Sequence, residues 1–167
     1  MPIVRRCRDD EQPAVLNIIN FAAQRYHGAI PADCWHEPYM SLEELAAEMA
    51  AGVEFWGAKL DTALVGVMGI QPVLDVDLIR HAYVLPAFQG NGIGGLLLTK
   101  LCAQRSRPIL IGTWAAASWA IDLYKRHGFS VCCWIGGGQS ASEDVLDDTG
   151  APNRDFRSAQ KGVSRSP

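Results

Sequence analysis

Apolar residues occur along this chain in short runs, separated by polar turns, and their spacing within each run predicts secondary structure. Alternation or a short continuous run is typical of a strand, whereas apolar positions three or four residues apart indicate a helix. The order βαα-βββ-αβ-αβ results, which predicts an α/β domain with a mixed sheet. The predicted strands cover residues 3–7, 53–59, 63–71, 76–85, 108–114 and 129–135. Four helices are predicted: one that is capped within residues 9–13, one over residues 41–50, one that ends near residue 105 and one that contains Tyr124.

The segment of residues 83–98 carries the strongest candidate chemistry. An apolar, strand-like run ends at Pro86, and a glycine-rich turn then opens directly into a helix that begins Ile-Gly-Gly-Leu-Leu-Leu. Such a turn presents unpaired backbone N–H groups at the positive end of a helix dipole, which favours a phosphate or pyrophosphate. We therefore predict a phosphate-bearing ligand at this turn.

The glycine spacing alone also fits a dinucleotide-binding fold. Gly90, Gly92 and Gly95 reproduce the Gly-x-Gly-x-x-Gly fingerprint, which needs a carboxylate roughly 20 residues later to bind a ribose hydroxyl. The chain has no Asp or Glu between Asp77 and Asp122, and the motif lies in the middle of the chain. The sequence therefore gives little support to a dinucleotide site.

Two segments resemble the GNAT superfamily of N-acyltransferases. Residues 89–94 match the family's acyl-CoA-binding pattern, Gln/Arg-x-x-Gly-x-Gly/Ala, at every fixed position, and residues 120–129 resemble its second motif, in which a helix with a tyrosine ends at a Gly-Phe step. The resemblance covers roughly residues 3–135. It implies a central, mostly antiparallel sheet that splays at the acyl-CoA site and is flanked by helices.

The resemblance also implies an activity, which is transfer of an acetyl group from acetyl-CoA to the amine of a small molecule by direct attack in a ternary complex. A phosphinothricin-like or amino-acid N-acyltransferase is the first expectation within the family. Glycines without a Cβ let the backbone approach the pyrophosphate closely. The implied cofactor-binding residues are Tyr83, Val84 and Leu85 along the pantetheine arm and Gln89, Gly90, Asn91, Gly92, Ile93 and Gly94 at the pyrophosphate.

Tyr124 is the candidate for acid catalysis. Attack of an amine on a thioester expels a thiolate, and a phenol near the sulfur can donate the proton that this leaving group needs. With an ordinary pKa of about 10, a tyrosine stays protonated at neutral pH. The alternative is an aromatic core residue on an amphipathic helix. A catalytically silent acyl-CoA-binding or nucleotide-sensing module is the rival function, and such a module would not need this phenol.

The general base and the acceptor site have weaker sequence signals. Alternation along the strand predicts Asp77, Ile79, His81 and Tyr83 on one face and Leu78, Arg80, Ala82 and Val84 on the other. His81 is a candidate base, and Arg80 is a candidate clamp for an acceptor carboxylate. Both also suit a purely structural role. The aromatic loop of residues 26–39 is a candidate pocket wall in which Glu37 attracts an ammonium group, or else a segment that packs on the core or on a second subunit of a homodimer.

Two parts of the chain depart from the family pattern. Ala117 stands where the family commonly has an asparagine that contacts the pantetheine arm. Residues 139–167 form an atypical polar tail with the composition of a disordered segment, without an obvious final apolar strand. The predicted organisation is an acyltransferase domain over residues 1–138, followed by this poorly ordered tail.

Composition narrows the possible partners. The 167 residues carry a net charge of −3, and the first 150 lack a basic run, which argues against nucleic acid. The apolar runs are shorter than a membrane span, and the N-terminus lacks a signal-peptide core, so we expect a cytoplasmic protein without a membrane partner. Five cysteines without a Cys-x-x-Cys pair predict no metal site. The expected partners are acetyl-CoA and a small amine.

Overall fold

The structure is a computed structural model that describes residues 1–132 and 160–165. Within these residues it contains helices and strands in the predicted order. The helices are α1 (Gln12–Ala23), α2 (Leu42–Ala50), α3 (Ile93–Cys102) and α4 (Ser118–Arg126). The strands are β1 (Ile3–Arg6), β2 (Glu54–Leu60), β3 (Ala63–Val73), β4 (Val76–Val84), β5 (Ile109–Trp114), β6 (Ser130–Cys132) and β7 (Gln160–Arg165).

These strands form one mixed sheet in the order β1-β2-β3-β4-β5-β7-β6. Every neighbouring pair is antiparallel except β4 and β5, which run parallel. The predicted hairpin is confirmed, because β2 and β3 pair from Leu60 and Ala63 at the turn to Glu54 and Ile70 at the far end. The α/β class and the mostly antiparallel sheet are thus confirmed.

Helices cover both faces of this sheet. On one face, α3 and α4 pack over a buried cluster that includes Ile79 and Leu97. On the other face, α1 and α2 cover a second cluster that includes Ile19, Leu45 and Val67. Burial of apolar side chains on both faces fixes the register of the central strands, since a slip of one residue would exchange their two faces.

A bulge interrupts β4 near its end. The pairing with β3 passes from Gly69–Arg80 to Val67–Tyr83, so that two residues of β4 oppose one residue of β3. His81 is one of the two, and its backbone has φ 51°, in the left-handed region that non-glycine residues rarely adopt.

The predicted alternation along β4 is therefore wrong from His81 onward. Ile79 and Val84 pack on the face of α3 and α4, whereas Tyr83 packs on the face of α1 and α2. His81 contacts α2, as Arg80 does. The extra residue of the bulge shifts the alternation by one position, and it brings the side chains of Arg80 and His81 to the same side of the sheet.

The sheet opens between β4 and β5. Parallel pairing joins residues 77–79 to residues 109–111 and goes no further. Beyond Ile79 the two strands diverge, so backbone groups at the end of β4 face a cleft on the β5 side. This divergence is the splay that the resemblance implied.

Part of the tail forms a strand that the sequence analysis missed. Gln160–Arg165 is β7, which pairs with β5 on one side and with β6 on the other. Val163 is its one large apolar residue, so its composition gave no strand signal, and backbone hydrogen bonds to two neighbours supply the pairing. The predicted end of β6 near residue 135 and the domain boundary at 138 lie outside the described residues.

Candidate active site

A cavity of about 690 Å³ lies where β4 diverges from β5. Residues from the end of β4, the glycine-rich turn, α3 and α4 line it together with the end of α1 and the turn that follows. The two segments that carry the family resemblance are thus brought to one cleft. Of the predicted cofactor-binding residues, Tyr83, Val84, Gln89, Gly90, Gly92, Ile93 and Gly94 line this cavity.

The glycine-rich turn has the backbone conformation that its sequence predicts. Gly90 has φ 79° and Gly92, the residue that precedes α3, has φ 76°. No atom lies within 4 Å of a Cβ built on either residue, so the space beside them is open. The first intrahelical bond of α3 runs from the Leu96 N–H to the Gly92 carbonyl at 2.9 Å. The preceding N–H groups are therefore available to an anion.

The two glycines inside α3 serve packing between helices. A Cβ on Gly95 would lie 2.7 Å from the Nε2 atom of His127, and a Cβ on Gly94 would lie 3.2 Å from a methyl group of Leu123. The absence of a side chain at both positions lets α3 approach α4 closely. The sequence analysis gave Gly94 a role in approach to the pyrophosphate, and the structure shows in addition a close helix contact at this position.

The side chains of the turn bind its own backbone. The Gln89 amide donates to the Val84 carbonyl at 2.9 Å, and its oxygen accepts from Arg25 at 3.3 Å. The Asn91 amide lies 3.3 Å from the Phe88 and Gln89 carbonyls. Asn91 and Leu85, both predicted to bind cofactor, do not line the cavity. The Leu85 side chain instead packs on the α1 and α2 face.

Tyr124 lies at the junction of two cavities. Besides the large cavity, it lines a smaller one of about 150 Å³ between β4 and β5, and the residues common to both are Tyr26, Ala82, Tyr83 and Tyr124. Its side chain is only 4% exposed. Burial, with a smaller contribution from Tyr26, raises the pKa of the Tyr124 phenol, so the hydroxyl keeps its proton well above neutral pH.

The smaller cavity has an aromatic wall and a polar end. Tyr26 and Tyr39 stack with their ring centres 6.3 Å apart, and each meets Tyr83 edge-on at the same distance. Burial raises the pKa of the Tyr26 phenol to about 12. Arg80 and His81 line the same cavity at its polar end. The loop of residues 26–39 therefore contributes to a pocket wall as well as packing on the sheet.

Arg80 and His81 both contact a glutamate that the sequence analysis did not select. The Glu48 carboxylate of α2 lies 2.9 Å from Arg80 and 3.3 Å from the His81 Nε2 atom. These are ion-pair distances, although neither contact has good hydrogen-bond alignment. Arg80 also donates to Gln71 at 3.1 Å. The structure thus joins the predicted base and the predicted clamp in one charged cluster.

Other sequence candidates lie apart from the cavities. Glu37 is exposed and accepts a hydrogen bond from Gln24 at 3.2 Å, and it lines neither cavity. Asp77 is buried and pairs with Arg107 at 3.0 Å. Ala117, at the position of the family's asparagine, is fully buried in a cluster with Tyr26. Its small side chain fills a packing position there.

Three further residues of the large cavity had no sequence signal. They are Arg25, Trp119 and Arg126, and all three line the cavity. The guanidinium of Arg25 lies 3.9 Å from the centre of the Trp119 ring. Among the described residues, no acidic side chain lines this cavity. Only the fold brings Arg25, which is distant in sequence, to the glycine-rich turn. A cavity with this charge suits an anionic ligand.

Within residues 1–132 and 160–165, no cluster of three or more His, Cys, Asp or Glu side chains could hold a metal ion. No helix there combines the length and the apolar character that crossing a membrane requires.

Solved structures of similar fold extend over nearly the whole chain. A ribosomal-protein-alanine N-acetyltransferase from Brucella melitensis is 19% identical, with 99% of each chain covered and a TM-score of 0.67. PaiA N-acetyltransferase from Thermoplasma acidophilum, solved in complex with coenzyme A, is 15% identical, with 100% of this chain and 99% of that chain covered and a TM-score of 0.72. YncA, a putative acetyltransferase from Salmonella typhimurium solved with acetyl-CoA, is 18% identical, with 98% and 92% covered and a TM-score of 0.63.

At these identities, the similarity to solved structures establishes the fold. No curated protein is significantly similar in sequence. Residues 51–131 match the acetyltransferase (GNAT) domain, which spans β2 to β6 and includes the glycine-rich turn and Tyr124. The resemblance inferred from the two motifs is thereby confirmed. The family match identifies residues 51–131 as an acetyltransferase (GNAT) domain.

Proposed function

We propose that this protein transfers the acetyl group of acetyl-CoA to the amine of a small molecule, by direct attack within a ternary complex. One observation carries the proposal. The anion-binding turn before α3 and the buried phenol of Tyr124 line the same cleft, and that cleft adjoins a second, smaller cavity. A donor and an acceptor can thus occupy separate spaces that meet at Tyr124.

The residues of the large cavity suit acetyl-CoA. The free N–H groups of the turn before α3 would bind the pyrophosphate, with Arg25 and Arg126 as the nearby cations. The backbone groups of Val84 lie on the side of β4 away from β3, because the neighbouring Leu85 N–H donates to Val65 of β3. They would pair with the pantetheine amides as a neighbouring strand does. Acetyl-CoA supplies the activated acyl group as a thioester.

The Gln89 side chain takes part in this fit. Its amide donates a hydrogen bond to the Val84 carbonyl at 2.9 Å. This carbonyl is one of the backbone groups that would pair with the pantetheine arm. Ligand entry would therefore displace this hydrogen bond. Gln89 is exposed and carries no charge, so the exchange of one neutral hydrogen bond for another costs little.

Tyr124 is the proposed proton donor. Its pKa is raised by burial, so it is fully protonated at neutral pH and can give its proton to the sulfur as negative charge develops there. His81 is the proposed proton acceptor for the amine. It lines the smaller cavity, and an imidazole can take up a proton in the physiological range.

The smaller cavity sets the proposed class of acceptor. A volume of about 150 Å³ with aromatic walls suits a small amine. The Arg80 guanidinium at the polar end is the proposed partner for an acceptor carboxylate. It would then contact both that carboxylate and Glu48. Glu37 is a weaker proposal for binding the ammonium group, because its position is exposed and outside this cavity.

The test is an assay of thiol release from acetyl-CoA with a panel of acceptors. The panel contains amino acids, small amines without a carboxylate, and a peptide with a free N-terminal alanine. The proposal predicts release that depends on a small amine, fastest with acceptors that carry a carboxylate. Release with the peptide alone would move the acceptor class to proteins. Tight acetyl-CoA binding without acceptor-dependent release would favour the silent binding module.

A further inference from the structure

Helix α2 places a carboxylate over the end of β4. A capping box fixes the start of this helix, in which the Ser41 N–H donates to Glu44 at 2.6 Å and the Glu44 N–H donates to the Ser41 hydroxyl at 3.1 Å. One position later, Leu45 is completely buried against the sheet. Glu48 follows Leu45 by three residues and therefore lies on the same face of the helix.

The bulge of β4 brings the imidazole of His81 to this carboxylate. In a regular strand, Arg80 and His81 would project to opposite faces. With φ 51° at His81, both side chains reach Glu48, at 2.9 Å and 3.3 Å. The Phe55 ring of β2 lies against the imidazole with the ring centres 5.8 Å apart. The imidazole is thus held between an aromatic ring and a carboxylate.

The carboxylate is ionised in this environment. Burial alone would raise the pKa of Glu48, but the contacts with His81 and the charge of Arg80 hold this pKa below its ordinary value. The other titratable groups around His81 are the phenols that line the smaller cavity, which are Tyr26, Tyr39, Tyr83 and Tyr124. Phenols are neutral at pH 7. Among the residues that the structure describes, Glu48 and Arg80 are therefore the charges in contact with this imidazole.

We propose that Glu48 is a positioning residue that orients the imidazole of His81 and stabilises its protonated form during acetyl transfer. The inference rests on the proposed function. Because Nε2 is the ring nitrogen that lies 3.3 Å from Glu48, the proposal places the proton of the neutral imidazole on Nε2 and the free lone pair on Nδ1. As the bond between the acceptor nitrogen and the acyl carbon forms and the carbon–sulfur bond breaks, the nitrogen gives its proton to Nδ1. The departing thiolate receives a proton from Tyr124. The imidazolium then gives its proton to water and the phenolate takes one from water, so both residues return to their starting forms.

The two charges at His81 predict opposite effects on its pKa. Removal of the carboxylate in Glu48→Gln leaves the charge of Arg80 uncompensated beside the imidazole, so the NMR titration of the His81 ring should move to lower pH. Removal of the cation in Arg80→Gln should raise the pKa. Glu43→Gln changes an exposed glutamate of the same helix and is the matched control. NMR titration of the His81 ring protons, assigned with His81→Gln, measures each shift without any need for activity.

The kinetic test uses the dependence of kcat/KM on pH. Activity should rise as His81 loses its proton, so the midpoint of this limb should move to lower pH in Glu48→Gln and to higher pH in Arg80→Gln. The plateau of Glu48→Gln should fall, because a weaker base accepts the proton less readily. An unchanged NMR titration in Glu48→Gln would overturn the inference, and so would a shifted titration with an unmoved kinetic limb. Failure of every amine to accept acetyl would instead contradict the proposed function.

Discussion

Burial suits the phenol of Tyr124 to its proposed role as a proton donor. Desolvation disfavours the phenolate, so the raised pKa keeps a proton on the oxygen at neutral pH. The sequence analysis predicted this role from a tyrosine on a helix that ends at Gly128-Phe129. It could not place the residue between two cavities, because that position depends on the splay of two strands.

Tyr124→Phe should separate catalysis from structure. The ring and its packing remain, so the melting temperature and the affinity for acetyl-CoA should change little. The lost proton donor acts only as charge develops on sulfur, so kcat should fall by about 10²-fold or more. Steady-state kinetics, calorimetry and thermal melting measure the three quantities. Full turnover with a lowered melting temperature would show that Tyr124 is only a core residue.

At the scale of elements, local sequence signals predicted those parts that local physics determines. The hairpin of β2 and β3, the capping box at Ser41 and Glu44 and the glycine turn before α3 all follow from turn chemistry and periodicity. The bulge at His81 could not be predicted in this way, because the sequence of β4 still fits a simple alternation of faces when one residue is added. The strand β7 could not be predicted either. Its composition is polar, and it forms because it pairs with a strand on each side.

The turn before α3 can be tested with a matched pair of variants. Gly92 has φ 76°, and Asn tolerates this region better than other side chains. Gly92→Asn should therefore retain much of the affinity for CoA. Gly92→Asp has almost the same shape but places a negative charge among the N–H groups that would bind phosphate, so affinity should fall below detection.

Calorimetry with CoA and with NAD decides between the possible ligands of this turn. The wild-type protein should bind CoA and not NAD. The charge in Gly92→Asp lies at the positive end of the helix dipole and should not lower the melting temperature more than Gly92→Asn does. A loss of binding would then report on the ligand's phosphates. Equal affinity for CoA and NAD would contradict an acyl-CoA site.

For the whole molecule, the divergence of β4 from β5 determines where chemistry can occur. The opening begins beyond Ile79, and α3 with α4 walls the larger cavity while the loop of residues 26–39 walls the smaller one. The family could be inferred from two sequence motifs. The proposed acceptor side could be predicted only in part. The sequence indicated Arg80, His81 and this loop, but their meeting with β5 around one cavity, and the contact of Glu48 with Arg80 and His81, arise only in the folded chain.

Transfer of a labelled acetyl group tests the central claim most directly. The protein is mixed with acetyl-CoA labelled in the acetyl group and with the best amine of the panel, and mass spectrometry follows the label on the amine, in free acetate and on the protein. Direct attack predicts one labelled acetyl on the amine nitrogen for each thiol released, with an unlabelled protein. Label that stays in acetyl-CoA, is released as acetate or accumulates on the protein would contradict direct transfer to a small amine.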